Sequence, residues 1–316
     1  MKTNIQDKVG RRLRCWCDKF MCTMVYTPYL SLFGRRDKRK LKYDISLCLI
    51  FNNEAPYLRE WLDYHLTIGV DHFYLYNDNS TDDYLSVIQP YIEQGAVTLV
   101  QWQHRQAQAR CYRHCLENFK DETRWIGYID ADEFVCPLKA TSIKEWIKDY
   151  ESYPAVHVSW LQFGTDGIIE HDFSRNVIEQ YFACWRGFYM GKTFVNTQYE
   201  VTNWDSQYFH HKSYMHFRVF GLACSVPAVS IDKIVRPMRV LEEDKKHRTK
   251  ANIQINHYYT KAWNTYAAKM KKPDVFFENN PKSYERLLER ELHCMDRDYS
   301  ILRFLQKMRL MQGIIK

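Results

Sequence analysis

The sequence predicts an α/β fold built on a mainly parallel sheet. Over residues 44–129, four short apolar runs alternate with three segments whose apolar residues recur at helical spacing. That alternation implies crossover units. Polar clusters follow the first, second and fourth runs, at the sheet edge where such folds bind ligands. Of 316 residues, 46% are hydrophobic and 26% charged, enough for a packed core, and 11 Gly and 9 Pro leave little material for long linkers.

The elements follow in order. Residues 44–51 form an apolar run of strand length, broken by Asn52-Asn53-Glu54-Ala55-Pro56. Leu58, Trp61, Leu62, His65 and Leu66 recur at helical spacing, Pro56 suits the first turn, and Gly69 closes the helix. Residues 72–76 read as the second strand. Asn77–Asp83 is a loop entering a helix, with Ser80 or Thr81 as cap and Asp82 and Asp83 at the positive end of the dipole. Leu85, Ile88 and Ile92 continue that helix. Residues 96–102 are the third strand, 106–119 a helix and 125–129 the fourth strand, which ends on Asp130-Ala131-Asp132-Glu133. Beyond it the pattern is looser: a helix over 141–150, a strand over 155–163, a strand over 251–259, a helix over 261–271, and one or two amphipathic helices over 282–311.

The net charge of +7 is unevenly placed. In residues 1–42, twelve Lys/Arg against three Asp give +9, so the remainder carries −2. A near-neutral body argues against a nucleic-acid groove. The basic segment interleaves Trp16, Phe20, Met24, Tyr29, Leu30 and Phe33 with its charges, the composition of an interfacial anchor on an anionic membrane. A basic tail or a helix packed on the body fits it equally. No apolar stretch of about 20 residues predicts a membrane-spanning helix. Ten Cys without a C-x-x-C pair read as reduced, buried thiols, and the expected location is cytoplasmic, peripheral on the inner membrane face. Neither a G-x-S-x-G elbow, a P-loop nor an H-E-x-x-H helix is present.

The chemistry concentrates in the strand-end clusters. Asp130-x-Asp132 can present two carboxylates to one Mn²⁺ or Mg²⁺ shared with a bound diphosphate, which would stabilise a departing nucleotide. The plain alternative is a solvated acidic loop. Asp78, after the second strand, can accept from a base or ribose hydroxyls, and Asn52 and Glu54 can line the same pocket, although a turn explains them as well. Arg105, Arg110 and Arg113 precede the acidic strand, and one could face a diphosphate. His257, in Ile255-Asn256-His257-Tyr258-Tyr259-Thr260-Lys261, could return to the metal as a further ligand or pack in the core.

Taken together, these residues resemble a known family. The run Tyr43-Asp44-Ile45 to Asn52-Asn53-Glu54-Ala55-Pro56-Tyr57-Leu58-Arg59-Glu60-Trp61 is similar to the opening block of family 92 and related family 2-type glycosyltransferases. The resemblance continues through Gly69–Asp83, His114-Cys115-Leu116, Trp125–Phe134, Trp160–Gly164 and Ile255–Lys261. It implies a glycosyltransferase-A fold: a nucleotide-sugar half over 43–140, an acceptor half over 141–270 and a helical extension over 271–316. It implies a nucleotide-sugar donor, a glycan or glycolipid acceptor, and a divalent metal, usually Mn²⁺. Asp78 and Asn79 would contact the base or ribose, Asp130 the ribose and metal, Asp132 the metal, and His257 the metal or diphosphate. The expected reaction is hexose transfer to a saccharide or lipid-linked saccharide. An inverting course would also need a carboxylate base, for which Glu170, Asp172, Glu179 and Asp205 are unranked candidates. A nucleotidyltransferase and a non-catalytic membrane-surface protein are the competing readings.

Overall fold

The computed structural model describes residues 39–102, 108–187, 190–199, 203–204, 214–219, 222–233, 251–271 and 281–314, together with residues 16, 17, 20, 24, 25 and 28. The predicted anchor in residues 1–42 therefore falls almost wholly outside the described residues.

Strand β1 (Tyr43–Phe51) sends alternate side chains to opposite faces of the sheet, as the two-residue period of a strand requires. Ile45, Leu47, Leu49 and Phe51 join one buried cluster, and Cys48 joins another. Strand β2 (His72–Asn77) repeats the division, with Phe73 and Leu75 on the first face and Tyr74 and Tyr76 on the second. Burial on both faces explains why these strands read as nearly unbroken apolar runs.

The first face is covered by helices α1 (Ala55–Thr67) and α2 (Tyr84–Glu93), through Leu58, Trp61, Leu62 and Ile88. The second is covered by α3 (Gln108–Phe119), through Cys111, Tyr112, Cys115 and Leu116. With β3 (Val97–Gln101) and β4 (Thr123–Tyr128), the parallel strands lie in the order β3-β2-β1-β4. Two crossovers step one way along the sheet, and the third, through α3, returns past β1 on the other face. The direction therefore reverses between β1 and β4, which opens a crevice at their carboxyl ends.

Beyond β4 the sheet turns mixed. β8 (Gly191–Asn196) pairs antiparallel with β4, and β6 (Ala155–Phe163) pairs antiparallel with β8. β7 (Ala183–Trp185) follows at the edge, while β12 (Ile253–His257) lies parallel to β6 and antiparallel to β5 (Glu133–Pro137). The β6–β8 approach is close: a Cβ on Gly191 would sit 1.9 Å from the Val158 carbonyl oxygen. A three-stranded sheet of β9 (Asn203–Trp204), β10 (Tyr214–Val219) and β11 (Leu222–Pro227) stands apart.

The expected α/β class and every strand and helix over 44–129 are present. Two local expectations are corrected. Neither Ser80 nor Thr81 caps α2: the N-cap residue is Asp83, which makes no side-chain cap bond. The helix expected over 141–150 is one turn, α4 (Ile143–Ile147), followed by a 3-10 turn. After α5 (Trp263–Lys271), the one or two helices expected over 282–311 are two, α6 (Tyr284–His293) and α7 (Leu305–Met311). Between them β13 (Asp296–Arg297) adds an edge strand on β7, so this region is woven into the sheet. Among the described residues, no helix is long and apolar enough to cross a membrane. Cys48, Cys111, Cys115, Cys136 and Cys184 are buried free thiols, as the sequence predicts, whereas Cys17 is exposed and Cys294 half-buried.

Candidate active site

The loops after β1 and β2 hold each other. The Asn53 side-chain oxygen accepts the Thr81 and Asp82 N–H groups at 2.7 and 3.2 Å, and the Asn53 N–H donates to Ser80 Oγ at 3.0 Å. Asn52 donates to the Asp78 carbonyl at 2.5 Å. Asp82 accepts the Ala55 N–H at 2.8 Å, so an acid from the second loop caps the helix that follows the first. Asn53 and Asn79 take left-handed φ values of 53° and 52°, which asparagine tolerates better than bulkier residues. Asn79 donates to Asp78 Oδ1 at 3.0 Å. Asn52, Asn53 and Asn79 thus shape the rim on which Asp78 sits.

The turn after β4 is closed on itself. The Asp130 N–H donates to Glu133 Oε2, and the Glu133 N–H donates to the Asp130 carbonyl, each at 3.0 Å. The Trp61 indole N–H of α1 reaches both the Asp130 and Glu133 carbonyls, at 3.1 and 3.0 Å. β12 then lays His257 opposite Glu133, and the Tyr258 N–H donates to the Asp132 carbonyl at 2.8 Å. This places Asp130, Asp132 and His257, distant in sequence, at one sheet edge.

The acids are matched by lysines. Lys192 of β8 is fully buried, with Nζ 2.8 Å from Asp130 Oδ2 and 3.6 Å from Glu133 Oε2. Gln108 and Tyr112 of α3 each donate to Asp130 Oδ1 at 3.0 Å. Lys269 of α5 lies 2.6 Å from Asp132 Oδ2 and also donates to the Tyr259 carbonyl at 2.7 Å. His257 Nε2 is 3.4 Å from Asp132 Oδ1. Burial pushes the Asp132 carboxyl up, but the Lys269 ammonium and His257 outweigh it and hold the group well below the usual carboxylate range. Burial pushes Glu133 well above that range, and the neighbouring acids add to this. Lys261, also buried, lies 4.1 Å over the Tyr57 ring, and burial lowers its pKa to about 8.

Among the described residues, no three His, Cys, Asp or Glu side chains form a group that could hold a metal ion. Mn²⁺ and Mg²⁺ are commonly held by one or two carboxylates plus substrate phosphates. The Asp132 carboxylate is a part-exposed acid of the turn, and a cation there would share it with Lys269 at Oδ2 and His257 at Oδ1.

The profile of glycosyltransferase family 92 matches residues 43–299, which include every residue of this turn and its partners. The chain belongs to glycosyltransferase family 92. A family 92 protein of Arabidopsis thaliana is 31% identical over 136 residues, 40% of this chain and 24% of that protein. A galactan beta-1,4-galactosyltransferase of the same plant is 30% identical over 132 residues, 37% of this chain and 26% of that protein. This family 92 chain thus spans about a quarter of the length of the curated relatives it matches. Among solved structures, TarS of S. aureus aligns over 49% of this chain and 47% of its own at 11% identity, with a TM-score of 0.35, a likeness too slight to carry an assignment.

The remaining expected site residues are dispersed. Arg110 is exposed on α3, where Gln108 and Tyr112 are the residues that reach Asp130. Arg105 and Asp205 lie outside the described residues. Glu170 is exposed in the loop after β6. The Asp172 carboxylate accepts the Ser174 N–H at 2.9 Å and the Ser174 hydroxyl at 2.6 Å, a local turn. Glu179 pairs with Arg309 of α7 and accepts from Asn176 at 2.6 Å. None of these three is bonded to the turn at Asp130–Glu133. Lys192, Lys269, Glu133, Gln108 and Tyr112 were not singled out by the sequence. Only Lys192 carries a signal there, as a lone charge in the strand run Gly-Lys-Thr-Phe-Val-Asn.

Proposed function

We propose that this chain transfers a hexosyl group from a nucleoside diphosphate sugar to a saccharide or lipid-linked saccharide. The observation that carries the reading is that Asp78 follows β2 and Asp130 and Asp132 follow β4, at the carboxyl ends of the two parallel strands that flank β1, in a chain of family 92. In the proposed reaction the acceptor hydroxyl attacks the anomeric carbon, the bond from that carbon to the diphosphate breaks, and a nucleoside diphosphate leaves. Asp78 accepts from the base or ribose, and Asp130, fixed by Gln108, Tyr112 and Lys192, accepts from the ribose. Asp132 holds Mn²⁺ or Mg²⁺, which when bound neutralises charge on the leaving diphosphate. Lys269 adds positive charge at the same carboxylate. Tyr57 and the exposed Phe173, 6.1 Å apart, offer aromatic faces to an acceptor sugar. We place the protein on the cytoplasmic face of an anionic membrane, held by residues 1–42.

The test is a screen of nucleotide sugars with and without Mn²⁺. Release of nucleoside diphosphate, stimulated by Mn²⁺ and lowered about 100-fold or more in Asp132→Asn, is the expected result. Release of pyrophosphate instead would make the protein a nucleotidyltransferase. Deleting residues 1–40 should abolish binding to anionic vesicles while leaving turnover of soluble acceptors intact.

A further inference from the structure

Behind the Asp132–His257 pair lies a buried amide whose orientation is fixed by chemistry. Arg290 of α6 places NH1 3.2 Å from the side-chain oxygen of Gln162, on β6. A guanidinium only donates, so the atom of Gln162 that faces it must be the carbonyl oxygen. The Gln162 NH₂ then faces His257 Nδ1, at 2.9 Å. An NH₂ only donates, so Nδ1 must accept and carries no proton. A neutral ring with a bare Nδ1 holds its one proton on Nε2. That nitrogen faces acceptors: Asp132 Oδ1 at 3.4 Å and Glu133 Oε1 at 4.0 Å. Glu133 Oε1 is buried and has no hydrogen-bond partner. An N–H at Nε2 suits the facing Asp132 carboxylate oxygen, where a lone pair would face another lone pair.

We propose that Arg290, acting through Gln162, fixes His257 as a donor toward Asp132, which makes His257 a positioning residue for that carboxylate and not a ligand of the cation. Arg290 is itself held, with its guanidinium 4.2 Å from the centre of the Tyr259 ring. Gln162 is 3% exposed, so water does not readily compete for its amide. The protonation assignment stands apart from the reaction, and only its consequence for the cation rests on the function proposed above.

The experiment is long-range ¹⁵N–¹H NMR of His257 in the full chain, with Mn²⁺ binding measured in parallel on the protein without donor sugar. Wild type should show the proton on Nε2. Gln162→Glu offers Nδ1 an acceptor while keeping a partner for Arg290, so the proton should move to Nδ1. The freed Nε2 lone pair should then tighten Mn²⁺ binding by about 10-fold or more, the range of such supporting-residue effects in metal sites. Arg290→Ala should yield a mixture of the two tautomers, and Arg290→Lys should restore the wild-type form. A wild-type proton on Nδ1, or a proton that stays on Nε2 in Gln162→Glu, overturns the proposal. If the tautomers move as expected but neither protein binds Mn²⁺, the positioning role stands and the cation reading falls.

Discussion

Lys192→Met tests whether the site is held together by its own charges. The lysine ammonium is fully buried, 2.8 Å from Asp130 and 3.6 Å from Glu133. At an effective dielectric of about 20, those two distances correspond to roughly 10 kcal/mol of gross attraction. The cost of burying the ammonium, several kcal/mol, offsets much of it. Methionine keeps the length and the packing of the side chain but leaves two acids facing each other. Breaking a buried pair from one side costs about 3–5 kcal/mol, and that is the loss expected at pH 8. Glu133, already pushed up by burial, has an escape: it takes up a proton. At pH 5 the loss should therefore shrink to about half. Denaturant unfolding of both proteins at the two pH values measures it. A loss under about 1 kcal/mol at pH 8, or one independent of pH, would show that Lys192 does not neutralise these carboxylates.

Three further outcomes follow from single contacts. Glu60 is buried and accepts the Val177 and Ile178 N–H groups at 2.7 and 3.0 Å, and burial raises its pKa from 4.5 to about 7. Between those values the folded protein keeps a proton the unfolded chain has lost, so this group's contribution to stability falls as pH rises. Glu60→Gln removes that dependence and should gain about 3 kcal/mol relative to wild type between pH 4.5 and 7.5, read from denaturation midpoints. Tyr112→Phe deletes one donor to Asp130 and should cost about 1.5–3 kcal/mol of stability, with a raised KM for donor sugar and little change in acceptor KM. Gly191→Ala drives a Cβ into the Val158 carbonyl, a clash with backbone that cannot rotate away. It should cost about 3 kcal/mol or more and lower the melting temperature, whereas Gly95→Ala has open space and pays only for its positive φ.

Residues 44–129 were legible because both sheet faces are covered locally. Each strand is bounded by its own turn chemistry, and each crossover helix packs on the strands beside it in sequence. Asp130 and Asp132 were legible for the same reason: the end of an apolar run marks the edge of the sheet. The caps of α1 and α2 were not, because the acids near them are used across loops. Asp82 serves Ala55, and Ser80 serves Asn53, through pairings between separate turns. No local rule separates a side chain that caps its own helix from one that caps its neighbour. The helices after residue 281 were legible, but β13 between them was not, because two residues are too few to show a strand period.

The lysines mark the deeper limit. Asp130 and Asp132 come from one turn, but their partners arrive from β8 and α5, 62 and 137 residues away. The amide that orients His257 comes from β6, and its arginine lies 128 residues further on. Residues 43–140 therefore supply the acids, with hydrogen bonds to Asp130 from Gln108 and Tyr112, and the later residues supply the lysines that face them. This division explains why carboxylate spacing revealed where the site is but not its electrostatics. Asp130 and Glu133 share the buried Lys192 and Asp132 faces the part-buried Lys269, each from another segment of the chain.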